Sequence, residues 1–238
     1  MLQIAGIGVL AGLYAAAAIR VRRRRGGLDV RRPAAFALGT AILLAGALMP
    51  DDTFALHMTQ HLLLGDLAPL FVVLGLDGPL LRPVLALRPV RALRALAHPL
   101  VALPLWAIDL CAWHLTPLFD AALHHDALHA LQHLCFFTGG LLLWSALLEL
   151  LPGPRWFRTP QRLAYLGVMW LVSLTLSQLF IWSSHPYYTY RSLNDQHAGG
   201  GIMLLEGSLV MIGVLAWLLW CALRAPRDRG YFASTPTS

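Results

Sequence analysis

Residues 53–74 read Thr53-Phe-Ala-Leu-His57-Met-Thr-Gln-His61-Leu-Leu-Leu-Gly-Asp66-Leu-Ala-Pro69-Leu-Phe-Val-Val-Leu74. This run is continuous rather than alternating, so it predicts a helix and not a half-buried strand. Its 22 residues extend about 33 Å at a rise of 1.5 Å each, enough to cross a hydrocarbon core of about 30 Å. Inside lipid only helices and closed barrels satisfy their backbone. Two histidines and one aspartate interrupt the run. Ionisable groups at that depth are costly and face a bundle interior or a cavity.

Outward from this stretch, six more apolar runs have comparable character. They lie at about 3–19, 33–49, 99–115, 121–150, 161–182 and 198–223. The expectation is an all-α integral membrane protein, a seven-helix transmembrane bundle filling residues 1–224 as one domain. Residues 225–238 form a polar cytoplasmic tail. Of 238 residues, 58% are hydrophobic and only 13% charged, about half the charged share of a soluble domain. The three cysteines, Cys111, Cys135 and Cys221, are odd in number and form no CxxC pair, so no disulfide framework is readable. Positive charge follows the first apolar run instead of preceding it, the reverse of a cleavable signal peptide.

The net charge of +6 comes from 18 arginines and no lysine. Arg20, Arg22 to Arg25, Arg31 and Arg32 fall between the first two runs. Arg82, Arg88, Arg91 and Arg94 follow the third, Arg155, Arg158 and Arg162 the fifth, and Arg224, Arg227 and Arg229 the seventh. With seven spans, 17 arginines share one side and Arg191 alone is opposite. Positive loops stay cytoplasmic, which puts the N-terminus outside and the C-terminus in the cytoplasm. Residues 84–94 place Arg88, Arg91 and Arg94 on one helical face, the pattern of an interfacial helix on anionic lipid. No stacking aromatics interleave these arginines, so nucleic acid is not an expected partner. Gly8 with Gly12, and Gly199 to Gly201, have the small-residue spacing of close helix packing.

The histidines carry the functional signal. In this topology nine of the ten lie in the outer leaflet or just above it, and His98 alone is at the cytoplasmic side. His57 with His61, and His129 with His133, are four residues apart, so each pair shares a helix face and can grip one ion. His114 ends the fourth run at the same membrane side. These five are the candidate metal ligands. His125 and His197 are further candidates, as is Cys111, three residues before His114. Imidazole suits copper, zinc, iron and nickel, and the nearby sulfurs of Cys111, Met58 and Met203 favour copper. Asp66 and Glu206, deep in their runs, are candidates for proton or cation handling. On an ideal helix Asp66 points away from the His57/His61 face.

These motifs resemble those of the bacterial multi-spanning CtaG cytochrome c oxidase assembly proteins. The resemblance rests on His57-Met58-Thr59-Gln60-His61-Leu62-Leu63-Leu64, then Ala68-Pro69-Leu70, Trp113-His114 and Pro117-Leu118-Phe119-Asp120. It continues through Leu128-His129-Ala130-Leu131-Gln132-His133-Leu134, Trp144, Asp195-Gln196 and Ala198-Gly199-Gly200 with Met203. It covers residues 53–213. It implies a non-enzymatic factor of the bacterial plasma (inner) membrane that helps mature haem–copper oxidases through copper delivery. Oxidase subunits and membrane lipid are then the partners, and a homodimer stays open. Asp66, His197 and Glu206 depart from the family pattern. Two other readings remain: a haem-binding membrane electron carrier, and a metal or proton transporter working through Asp66 and Glu206. Zinc or haem would replace copper in those readings.

Overall fold

Lipid offers the backbone no partners, so the apolar runs fold as helices. A computed structural model describes residues 2–25, 29–78, 80–81, 95–151, 153–188 and 192–224. Among them there is no strand. Helix α1 spans Leu2–Arg25 and α2 Arg31–Leu48. The stretch quoted above forms α3 (Phe54–Leu62), a π-helical turn (Leu63–Leu67) and α4 (Ala68–Gly75). Then come α5 (Pro99–Trp113), α6 (Thr116–His124), α7 (Asp126–Leu147), α8 (Thr159–Ile181) and α9 (Leu193–Arg224). The expected interfacial helix at 84–94, Arg191 and the tail at 225–238 lie outside the described residues.

Five of these segments are long and apolar enough to cross a membrane: Gln3–Arg23, Phe54–Gly75, Asp126–Leu147, Thr159–Ile181 and Leu193–Arg224. The α5–α6 pair, bent by 71°, is a sixth if it counts as one span. Helix α2 falls short because it begins with Arg31 and Arg32. Its remaining 16 residues, 33–48, cover only about 24 Å. The run expected at 121–150 is also divided. His125 is extended (φ −135°, ψ 105°), so α6 ends at His124 and α7 starts at Asp126.

The α3–π–α4 segment is the axis of the bundle, packed against α2, α7 and α9. Helices α8 and α9 pack together along their length, and α5 packs on α7. Trp144 of α7 is fully buried, among Leu143, Leu147, Leu166 and Met169. At the other end of the bundle, Phe54, Met58, Phe119, Phe180, Tyr188 and Met203 form a second core. Glycine sets two of the close approaches. A Cβ at Gly140 would strike the Gly65 carbonyl and the Pro69 ring, and one at Gly199 would strike the Phe54 ring. Gly8 and Gly12 differ from expectation: nothing lies within 4 Å of their would-be Cβ atoms. That face of α1 is open, and helix packing does not use it among the described residues.

Among the described residues, Arg32 and Arg162 lie at one end of the bundle and the two histidine pairs at the other. Arg32 donates to the Leu76 carbonyl (2.6 Å) and pairs with Asp77 (3.7 Å) beyond α4. Arg162 pairs with Glu149 at the C-terminal end of α7. The histidine pairs begin α3 and α7.

Candidate metal centre

Helix α3 is fixed at its first turn from two directions. Thr53 Oγ1 accepts from the Leu56 amide (3.1 Å). Asp195, from α9, accepts from the amides of Phe54 (2.6 Å) and Ala55 (3.1 Å). A carboxylate there satisfies orphan N–H groups and suits the positive end of the helix dipole. Next to it, Gln196 accepts from the Tyr187 amide (2.8 Å), anchoring the loop between α8 and α9. Tyr188 of that loop donates to the His114 carbonyl (2.9 Å) and holds the α5–α6 corner. The Asp195-Gln196 motif thus assembles the histidine end of the bundle.

On this frame the two HxxxH pairs face each other. The His57 and His61 rings are 4.2 Å apart, and those of His129 and His133 4.3 Å. Across the helices, His57 lies 5.3 Å from His129 and nearly parallel to it, and His61 lies 5.7 Å from His133. His57, His61 and His129 each offer a nitrogen, all within 4.8 Å of one another. Nitrogens on one tetrahedral ion at about 2.0–2.1 Å are about 3.4 Å apart. Rotamer shifts of about 1 Å would close this trio on an ion. All but His129 of the four are at least nine-tenths buried.

The ring nitrogens fit ligation. Neither nitrogen of His61 has a hydrogen-bond partner among the described residues, nor does Nε2 of His114 or His133. His114 Nδ1 lies 2.7 Å from the Leu110 carbonyl. A carbonyl can only accept, so Nδ1 carries the proton and Nε2 keeps its lone pair. Fixing one nitrogen in this way sets the tautomer of metal-binding imidazoles. His133 Nδ1 lies 3.0 Å from the Gln3 amide nitrogen and accepts from it, so in the neutral ring Nε2 carries the proton, and ligation through Nε2 requires the other tautomer. Asp51, which spacing alone did not single out, faces His57 Nδ1 (3.7 Å) and His129 Nε2 (3.9 Å). The hydrogen bond from His57 holds the Asp51 carboxyl down to about 2, so it stays charged. Its signal in the sequence is only the acidic Asp51-Asp52 pair, five to six residues before His57.

His114 sits 6.0 Å from His61, ring to ring, and joins the group from α5. Three other candidates stand apart. Cys111 is exposed on α5, outside the histidine group. His125 is exposed at the α6–α7 break. His197 Nε2 is within 3.1 Å of the Ser183 carbonyl and ties α9 to its loop. Met58 and Met203 belong to the aromatic core.

Asp66 departs from the expected orientation. The π turn at Leu63–Leu67 takes about 4.4 residues per turn, so Asp66, five residues after His61, returns towards the same face. Asp66 and Glu206 therefore line one cavity with His61 and His114. Trp144 Nε1 donates to Asp66 Oδ1 (2.9 Å) and fixes it there.

Residues 12–225 match the cytochrome c oxidase caa3 assembly factor (Caa3_CtaG) family. The curated relatives include uncharacterised proteins of Mycobacterium bovis (strain ATCC BAA-935 / AF2122/97) and Mycobacterium tuberculosis (strain CDC 1551 / Oshkosh). Each is 29% identical over 259 residues, covering 92% of this chain and 38% of the relative. A protein of Mycobacterium leprae (strain TN) is 27% identical over 256 residues, covering 91% and 37%. The chain thus spans less than two fifths of the length of these relatives. No solved structure matches it significantly. With nine-tenths of its length matched, the chain belongs to the cytochrome c oxidase caa3 assembly factor family.

Proposed function

We propose that this protein holds copper as cargo in its histidine cluster and passes it to a nascent haem–copper oxidase. The supporting observation is the opposed pair of HxxxH motifs, in which His57, His61 and His133 are buried and both nitrogens of His61 and Nε2 of His133 have no hydrogen-bond partner among the described residues. His57, His61 and His129 would bind the ion first, with His133 and His114 as exchange partners. Transfer is imidazole-for-ligand exchange, with no covalent chemistry, so the protein acts as a chaperone and not an enzyme. The partners are oxidase subunits, met within the bacterial plasma membrane. In this reading α2 and the bent α5–α6 segment also cross, giving seven spans with the N-terminus outside. The 17 arginines on one side support that orientation.

Crowding favours an ion over a haem. His57 is flanked by His61 at 4.2 Å and Phe119 at 5.0 Å, which leaves no slot for a macrocycle between the rings. Oxidase assembly is tested in a deletion strain complemented with wild-type protein or with His57→Ala/His61→Ala. The expected result is restored oxidase activity with wild type only, and partial rescue of the variant by added copper. Normal oxidase activity in the deletion strain would contradict the reading.

A further inference from the structure

Deeper along α3, past His61, a cavity of about 50 Å³ lies between α3, the π turn, α5, α7, α8 and α9. One water needs about 10–15 Å³, so the space admits an ion or a few waters. Two imidazoles and two carboxyls from separate parts of the chain line it, His61, Asp66, His114 and Glu206, together with the Ser173 hydroxyl. The two imidazoles are 94% and 92% buried, being 6% and 8% exposed. Neither His61 ring nitrogen has a hydrogen-bond partner among the described residues, so its lone pair can serve the outer trio or this space, and serving both at once makes the ring a bridging imidazolate that has released its N–H proton. His114 has its Nδ1 spent on Leu110, leaving Nε2.

The carboxyls have the complementary need. Asp66 is held by Trp144, and Glu206 lies beside it, placed to share a hydrogen bond with it when one carboxyl is protonated. Two adjoining carboxylates inside an apolar bundle are costly unless they share a proton or meet a countercharge, and a cation can displace that proton. A divalent cation neutralises both and also takes the two free imidazole nitrogens. Two imidazoles on one ion have ring centres about 5–6.4 Å apart, from a metal–nitrogen bond of about 2 Å. The observed His61–His114 separation is 6.0 Å. The donor set, two nitrogens and two oxygens, suits borderline first-row metals. The Trp144 bond to Asp66 and the Leu110 bond to His114 are the supports such ligands usually have.

We infer that this cavity is a second metal-binding station, taking a divalent first-row transition ion on His61, Asp66, His114 and Glu206. It lies inward of the histidine cluster and is joined to it through His61. It rests on the outer-site reading only in sharing that residue.

The test is cobalt(II) titration of the full chain in detergent, read by bound metal and by visible d–d absorption. Wild type is expected to take up ions at both stations. Asp66→Asn/Glu206→Gln should lose the inner ion and its bands while keeping the outer. His57→Ala/His129→Ala should lose the outer ion and keep the inner. Unchanged uptake and spectrum in Asp66→Asn/Glu206→Gln would overturn the inference. So would a wild type whose only cobalt disappears in His57→Ala/His129→Ala. An inner ion that persists while no outer ion binds would instead sink the outer site. If the double variant does not fold, Glu206→Gln alone, monodisperse by size exclusion, should weaken inner cobalt binding by roughly tenfold or more. Unchanged affinity there overturns the inference.

Discussion

Asp195 does for α3 what no residue of α3 can do for itself. It receives two of the first amides of the helix that carries His57 and His61. Asp195→Ala should lower stability by about 1–2 kcal/mol, seen as a lower melting temperature in detergent. Asp195→Asn should retain most of it, since its oxygen still accepts. Asp51 has a different task. It orients His57 and His129 without needing to bind metal itself. Asp51→Asn should weaken metal retention about tenfold while leaving the melting temperature of the metal-free protein nearly unchanged. The histidine pairs were legible in the sequence because a four-residue spacing maps directly onto one helix face. Asp51 and Asp195 were not legible as partners of α3. Asp195 lies some 140 positions away, and only the packing of α9 on α3 brings it there.

The π turn is the element on which the interior depends. Pro69 has no N–H, and its ring crowds the carbonyl four residues back, that of Gly65. The backbone widens over Leu63–Leu67, which relieves that clash. Gly140 of α7 lies directly against the same carbonyl. Gly140→Ala would drive a methyl into it, with an expected loss of about 1–3 kcal/mol or more. The readout is thermal unfolding, with Gly167→Ala, where nothing lies within 4 Å, as the neutral control. A proline in an apolar run signals a break but not its form, so sequence reasoning placed Asp66 on the wrong face. The α5–α6 corner is a similar case. Trp113-His114 marks the end of an apolar run. What spacing could not give was the 71° bend, held by Tyr188 from a loop more than seventy residues downstream.

At the scale of the molecule, charge and chemistry are separated along the bundle. Arginines gather at one end, where they meet Asp77, Glu149 and the backbone, and histidines gather at the other. The segregation was visible in composition alone once the apolar runs were placed, because arginine avoids lipid and avoids translocation. The number of crossings is less visible, since α2 and the α5–α6 pair fall near the limits of length and straightness. Reporter fusions decide it. A fusion after Arg224 should report the cytoplasm and one before Leu2 the outside; both ends on one side would mean an even number of spans and a different orientation.

In the proposed function the opposed histidine pairs hold copper. The direct measurement is copper bound per chain after purification from copper-supplemented cells, comparing wild type with His57→Ala/His61→Ala. Stoichiometric copper in wild type and its loss in a folded variant is the predicted result. Equal copper in both, or none in either, would contradict it.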